Sequence, residues 1–121
     1  NPPKLEHASV VDFQEAQKKG QLIIDIRRAE EWAETGIIEG AETITAFTKS
    51  GALHPDFQKK FFPLIDDEDT PVYLYCRTGN RTGTLGNALV NEGGLRKVLH
   101  LTTGIVGWKK DGLLTTPYKS D

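Results

Sequence analysis

The sequence predicts an α/β domain built on one central, mainly parallel sheet with helices on both faces. Two observations carry that prediction. Three short, nearly continuously apolar runs, Leu22-Ile23-Ile24-Asp25-Ile26, Val72-Tyr73-Leu74-Tyr75 and Lys97-Val98-Leu99-His100-Leu101, have the composition of strands buried on both faces. Around them lie segments with helical spacing and helix punctuation, so strands and helices alternate as they do when crossover helices join parallel strands. A length of 121 residues suits one hydrophobic core and is short for two, so residues 1–121 are read as a single domain with its core at about 6–112.

Taken in order, Ser9 is placed to cap a first helix whose apolar positions Val10, Phe13 and Ala16 recur at helical spacing and which Gly20 stops. The strand at 22–26 follows, then a short helix from Ala29 to Glu34 that ends near Gly36. Glu42-Thr43-Ile44-Thr45 is a weaker strand, and Asp56 to Phe62 reads as a helix closed by Pro63. After the strand at 72–75, a helix is expected from Thr82 to Asn91, stopping at Gly93-Gly94. The strand at 97–101 leads to a last short helix, Ile105 to Lys110, and a polar tail. Right-handed crossovers bring the carboxyl ends of parallel strands to one edge, where such sheets bind ligands. Cys76 follows the strand at 72–75 and therefore falls on that edge.

Composition narrows the function. An apolar fraction of 37% and a charged fraction of 26% belong to a soluble globular chain rather than a disordered one. The formal net charge of -2 provides no global field for nucleic acid or an anionic membrane surface, so neither is an expected partner and any positive site is local. No apolar run approaches the roughly 20 residues that span a bilayer. The single cysteine excludes an internal disulfide. His7, His54 and His100 are scattered without metal-ligand spacing, so no metal and no cofactor are expected, and none of the three is read as catalytic. Gly79, Gly83 and Gly86 lack the Gly-Lys-Ser/Thr of a phosphate loop. Because glycine inside a helix costs about 1 kcal/mol relative to alanine, Gly83 and Gly86 are read as sites of close helix–sheet packing. Trp32 and Trp108 are read as core or site-wall aromatics. The chain begins at Asn1 and has no methionine, which leaves room for a cleaved leader and leaves the compartment open between cytoplasm and periplasm, with a lean to the periplasm.

The chemistry concentrates in Cys76-Arg77-Thr78-Gly79-Asn80-Arg81, between a buried strand and a helix. Gly79 allows a positive φ and a close backbone approach, and Asn80 is among the few other residues that tolerate that conformation. Such a loop can turn its N–H groups inward around the sulfur while the following helix directs the positive end of its dipole there. With Arg77 and Arg81 added, the expectation is a small anion cradle with sulfur at its base. Cations and a helix N-terminus favour thiolate over thiol, so Cys76 is the candidate nucleophile, and Arg77, Thr78, Gly79, Asn80 and Arg81 are the candidate substrate-binding residues. Asp25 and Arg27, at the end of the neighbouring strand, are read as supporting residues. Either Asp25 braces the loop, or it caps the next helix while Arg27 pairs with Glu31 one turn on.

The loop Cys76-Arg77-Thr78-Gly79-Asn80-Arg81-Thr82 resembles the active-site loop of the rhodanese family. Residues 22–27, Glu31-Trp32 and Gly36-Ile37-Ile38-Glu39-Gly40-Ala41 resemble that family's first signature block, in order. Val98-Leu99-His100-Leu101, Gly104 and Trp108 resemble its closing block, and the match spans about residues 6 to 112. The family commonly has His at Ile37, Pro at Glu39 and Gly at Thr103, departures that touch neither the cysteine nor the loop cations. The resemblance implies a rhodanese fold and a sulfurtransferase that takes sulfane sulfur from thiosulfate onto Cys76 as a persulfide. The acceptor would be cyanide or a thiol, including a protein thiol. Related phosphatases place their binding arginine one position further on than Arg81, so a phosphatase or arsenate reductase on the same scaffold is the less favoured alternative. A sulfur-carrier or regulatory module that turns over little thiosulfate is the other. Arg77 favours thiosulfate over mercaptopyruvate as donor, since relatives acting on the latter tend to have small neutral residues beside the cysteine.

Overall fold

Each of the three apolar runs forms an interior strand of one five-stranded sheet in the computed structural model, which describes residues 3–118. The strands are β1 (Glu6–Ala8), β2 (Leu22–Asp25), β3 (Glu42–Thr43), β4 (Val72–Tyr75) and β5 (Val98–Leu101). Their order across the sheet is β1-β5-β4-β2-β3 and every pairing is parallel. The α/β architecture expected from the sequence, a central parallel sheet between helices, is therefore the one observed.

The two edge strands, β1 and β3, have the weakest sequence signals. β1 carries no apolar signal, because Glu6 and His7 are exposed and only Ala8 is buried. An edge strand needs partners on one side only and commonly stays polar. β3 is two residues long rather than the four expected. Beyond it the chain still follows β2 irregularly, with the Ile44 amide donating to the Asp25 carbonyl at 3.0 Å and the Ala46 amide to that of Ile26 at 3.1 Å.

The helices are α1 (Val10–Lys18), α2 (Ala29–Thr35), α3 (Phe57–Phe61), α4 (Asn80–Asn91) and α5 (Gly104–Lys110). Ser9 caps α1 as expected, accepting from the Asp12 amide at 3.1 Å while the Asp12 carboxylate accepts from the Ser9 amide at 3.0 Å. Pro63 does not close α3 at Phe62. It lies inside a 3₁₀ turn, Phe62–Leu64, that extends the helix. α4 starts at Asn80, two residues before the expected Thr82, because Gly79 takes a φ of 101° and its carbonyl accepts the Gly83 amide at 3.0 Å.

Alternation along the interior strands divides the core in two. Ile24, Val72, Leu74 and Val98 pack with Phe57 and Phe61 of α3 and with Leu85 and Leu89 of α4. Ile23, Tyr75 and Leu101 pack on the other face with Phe13 and Ala16 of α1 and with Ile105 and Trp108 of α5. Trp108 is thus a core residue, donating its indole N–H to the Leu114 carbonyl at 2.9 Å. Gly86 admits the Leu5 side chain against α4, while Gly83 faces the His100 ring.

Asp25 and Arg27 form a buried ion pair, 0% and 1% exposed. Arg27 donates from Nε to Oδ1 at 3.0 Å and from Nη2 to Oδ2 at 2.8 Å. Its remaining donors reach Thr35 Oγ1 at 2.8 Å and the Gly36 carbonyl at 2.9 Å, so the pair ties the end of β2 to the end of α2. This corrects both expectations for the pair: Asp25 neither braces the cysteine loop directly nor caps α2, and Arg27 does not pair with Glu31. Removing one partner leaves the other charge buried, so Asp25→Ala is expected to lower unfolding free energy by about 3–5 kcal/mol in urea titrations. Asp25→Leu combined with Arg27→Met is expected to cost clearly less.

Candidate active site

Cys76 is the first residue after β4 and is 1% exposed, packed at the carboxyl edge of the sheet. Its loop is gripped by the turn that starts α5. The Cys76 carbonyl accepts the Ile105 amide at 2.9 Å, and the Arg77 carbonyl accepts the Val106 amide at 3.2 Å. Two glycines permit that approach. A Cβ on Gly79 would strike the Thr102 carbonyl, and a Cβ on Gly104 would strike the Arg77 carbonyl. Both glycines have positive φ, 101° and 65°. The positive φ anticipated at Gly79 is present, whereas Asn80 begins α4 and, among the described residues, only glycines take positive φ.

Around the sulfur the arrangement is sparser than a full ring of amides. The Gly79 amide donates to Cys76 Sγ at 3.1 Å, and Thr82 Oγ1 lies 3.6 Å from it. Among the described residues no other amide from Arg77 to Arg81 bonds the sulfur. The N-terminus of α4 begins at Asn80 beside it, so the dipole expected at the sulfur is in place.

The two loop cations separate. Arg81 donates from Nη1 and Nη2 to the two carboxylate oxygens of Glu31, each at 2.8 Å, in a two-pronged pair that ties α4 to α2. The hydrogen bond to Glu31 pushes the Arg81 guanidinium above its ordinary value. Burial would raise the Glu31 carboxyl, but the bonds and charge of Arg81 outweigh it and hold that carboxyl below the ordinary value. Arg81 is therefore held by Glu31 where it lines the cleft over the loop, and a substrate anion would compete with that carboxylate for it. Arg77 is exposed and has no side-chain partner among the described residues. Thr78 and Asn80 are exposed beside it.

A cleft of about 680 Å³ opens over the loop, with Arg77, Asn80 and Arg81 on one wall and Phe47, Thr48 and Lys49 on another. A second, of about 250 Å³, lies between Arg27, Arg77, Ile105 and Lys109. Arg77 borders both. Among the described residues no group of three or more His, Cys, Asp or Glu could hold a metal ion, and no helix is long and apolar enough to cross a membrane.

Sequence reasoning missed Glu31 as the partner of Arg81, Lys49 and Lys109 as cleft cations, and Thr82 and His100 behind the sulfur. His100 Nδ1 lies 2.9 Å from Thr82 Oγ1. The only signal available was that Glu31, Thr82 and His100 fall within the three blocks that carried the resemblance.

These features define a parallel α/β domain centred on a cysteine loop at the carboxyl edge of its sheet. The chain belongs to the rhodanese family: the model of the rhodanese-like domain matches residues 9–111. An uncharacterized protein of Rickettsia prowazekii is 26% identical over 99 residues, covering 76% of this chain and 80% of that protein. A tRNA uridine(34) hydroxylase of Protochlamydia amoebophila is 27% identical over 105 residues, which is 85% of this chain but 32% of the hydroxylase. Among solved structures, a rhodanese-related protein from Thermoplasma volcanium matches with a TM-score of 0.67 at 18% identity, covering 93% of this chain and 99% of that one. A thiosulfate sulfurtransferase from Pseudomonas aeruginosa matches with a TM-score of 0.73 at 20% identity, covering 91% of this chain and 20% of that one. These structural likenesses establish the shared fold.

The glycine contact at Arg77 is open to a direct comparison. Gly112 also has a positive φ, 82°, yet a Cβ there meets nothing within 4 Å. Gly112→Ala should thus cost only the left-handed backbone, about 1–2 kcal/mol. Gly104→Ala should cost more in thermal unfolding and should also alter iodoacetamide reactivity at Cys76, which Gly112→Ala should leave unchanged.

Proposed function

We propose that this chain is a sulfurtransferase that moves sulfane sulfur from thiosulfate to a thiophilic acceptor through a persulfide on Cys76. The observation that carries the reading is the environment of one sulfur: Cys76 Sγ receives the Gly79 amide at 3.1 Å at the start of α4, with the exposed Arg77 at the rim of the cleft and without a side-chain partner among the described residues. The Cys76 thiolate attacks the outer sulfur of thiosulfate. A new S–S bond forms, the S–S bond of thiosulfate breaks, and its electron pair leaves with sulfite. Cyanide or a thiol then takes the outer sulfur and returns the thiolate, two half-reactions with ping-pong kinetics. The leaving group departs as an anion, so the first step needs no general acid. Arg77 pairs with the sulfonate of the donor, and the Gly79 amide and the α4 dipole stabilise negative charge on sulfur. Arg81 holds α4 against α2 through Glu31 and acts on the site by position. Thr78 and Asn80 line the approach.

A second reading has the domain exchange sulfur with a protein partner and turn over little thiosulfate. The likeness to a tRNA uridine(34) hydroxylase, in which the matched region is 32% of the chain, is compatible with such a domain working as part of a longer protein. A phosphatase is disfavoured by the five-residue spacing of Cys76 and Arg81.

Incubation with thiosulfate should raise the intact mass by one sulfur atom, and cyanide should reverse it with release of thiocyanate. Cys76→Ser should show neither change. An adduct formed from a persulfidated protein thiol but not from thiosulfate would establish the carrier reading instead. Phosphate-ester hydrolysis without any sulfur adduct would displace both.

For the cation, Arg77→Ala should raise the KM for thiosulfate, with a loss of about ten- to a hundredfold in kcat/KM, since charge-assisted contacts contribute about 1.5–3 kcal/mol. Steady-state kinetics with cyanide as acceptor reads it directly. An unchanged KM would remove Arg77 from substrate binding.

A further inference from the structure

Behind the sulfur runs a chain of polar side chains that the proposed reaction does not use. Cys76 Sγ is 3.6 Å from Thr82 Oγ1, and Thr82 Oγ1 is 2.9 Å from His100 Nδ1. His100 Nε2 is 3.1 Å from Nδ1 of His7, a residue exposed on β1. Cys76, Thr82 and His100 are buried, so this path crosses from an enclosed thiol to solvent. Parallel register creates it. His7 stands beside His100 across β1 and β5, and α4 lays Thr82 over the same face of the sheet.

We propose that Thr82, His100 and His7 form a proton relay that carries the Cys76 proton to solvent and leaves a hydrogen-bond donor on the sulfur. His100 is thereby a positioning residue acting through Thr82. The proposal rests on Cys76 being the reactive thiol, as argued above.

Proton bookkeeping is complete along the path. In the thiol state the S–H donates to Thr82 Oγ1, the Thr82 hydroxyl to His100 Nδ1, and the His100 Nε2–H to His7 Nδ1. Transfer along these bonds moves one proton into each next group, and His7 releases one to water from its exposed ring. Every bond is then reversed. The Thr82 hydroxyl donates to the thiolate, His100 Nδ1–H donates to Thr82, and His7 Nδ1–H donates to His100 Nε2. No redox partner is involved. The Gly79 carbonyl, 3.1 Å from Thr82 Oγ1, competes for the same hydroxyl proton in the thiol state.

The surroundings suit a neutral imidazole at His100. Burial, and after it the neighbouring His7, hold His100 below its ordinary value. From β1 the facing ionisable group is His7, since Glu6 points to the opposite side of the sheet, towards Tyr73. From the end of β4 it is Cys76. α4 presents Thr82 and Gly83 to the ring, and its cation Arg81 is turned to Glu31.

The test is the rate of Cys76 alkylation by iodoacetamide as a function of pH, in the full chain and with folding checked by near-ultraviolet circular dichroism. Thr82→Val and His100→Leu should each slow alkylation about tenfold below neutral pH, the worth of one hydrogen bond to a charged group. Because His100 acts through Thr82, the double variant should be no slower than Thr82→Val alone. Thr82→Ser should restore the rate. Multiplicative losses in the double variant, or unchanged rates in both single variants, would overturn the relay. Should Thr82→Val fail to fold, ¹⁵N signals of the His100 ring in the unmutated protein provide the readout. They should shift when Cys76 is alkylated, and static signals would likewise overturn it. Alkylation requires no sulfur donor, so a coupled alkylation pattern in a protein that takes no sulfur from thiosulfate would uphold the relay and reject the donor assignment alone.

Discussion

The site depends on two stretches of backbone held closer than side chains would allow. The loop after β4 and the turn before α5 touch at Gly79 against Thr102 and at Gly104 against Arg77. Amides of Ile105 and Val106 complete the junction by satisfying the carbonyls of Cys76 and Arg77. With those carbonyls engaged outward, the loop can turn the Gly79 amide onto the sulfur and begin α4 at once. The junction in turn relies on β4 and β5 pairing in register, because that pairing brings the two loops to the same edge.

Electrostatics around that junction is divided between holding and binding. Asp25 with Arg27, and Glu31 with Arg81, each neutralise an arginine while fastening α2, the first to β2 and the second to α4. The first pair is fully buried and the second partly exposed, so removing one partner is costlier at Asp25–Arg27. What remains at the rim is Arg77, with Lys49 and Lys109 further along the two clefts. A formal net charge of -2 is compatible with such a site because local geometry gathers Arg77, Lys49 and Lys109 at the clefts.

Where the structure departs from the sequence reading, the departures share a cause. β1 has no apolar signal in the sequence because only Ala8 of its three residues is buried. α4 was expected two residues late because Asn80 and Arg81 carry no helical apolar signal; a positive φ at Gly79 starts the helix there. Arg27 and Glu31 sit one helical turn apart and look like partners in sequence. Yet Arg27 folds back onto Asp25, and Glu31 is met by Arg81 from 50 residues away. His100 read as an isolated histidine because its two partners, His7 and Thr82, lie 93 and 18 residues from it.

Local chemistry in the sequence was enough to determine the parallel α/β architecture, its three interior strands, the cysteine at the carboxyl edge and the glycine that turns the loop. Those properties follow from apolar runs and backbone conformational preference, which act over a few residues. Which charges are spent on each other, which amide reaches the sulfur, and what lies behind it were decided by tertiary structure alone. Ion pairs and buried hydrogen bonds need a separation of about 3 Å, and strand register and helix docking decide which distant residues meet at that distance.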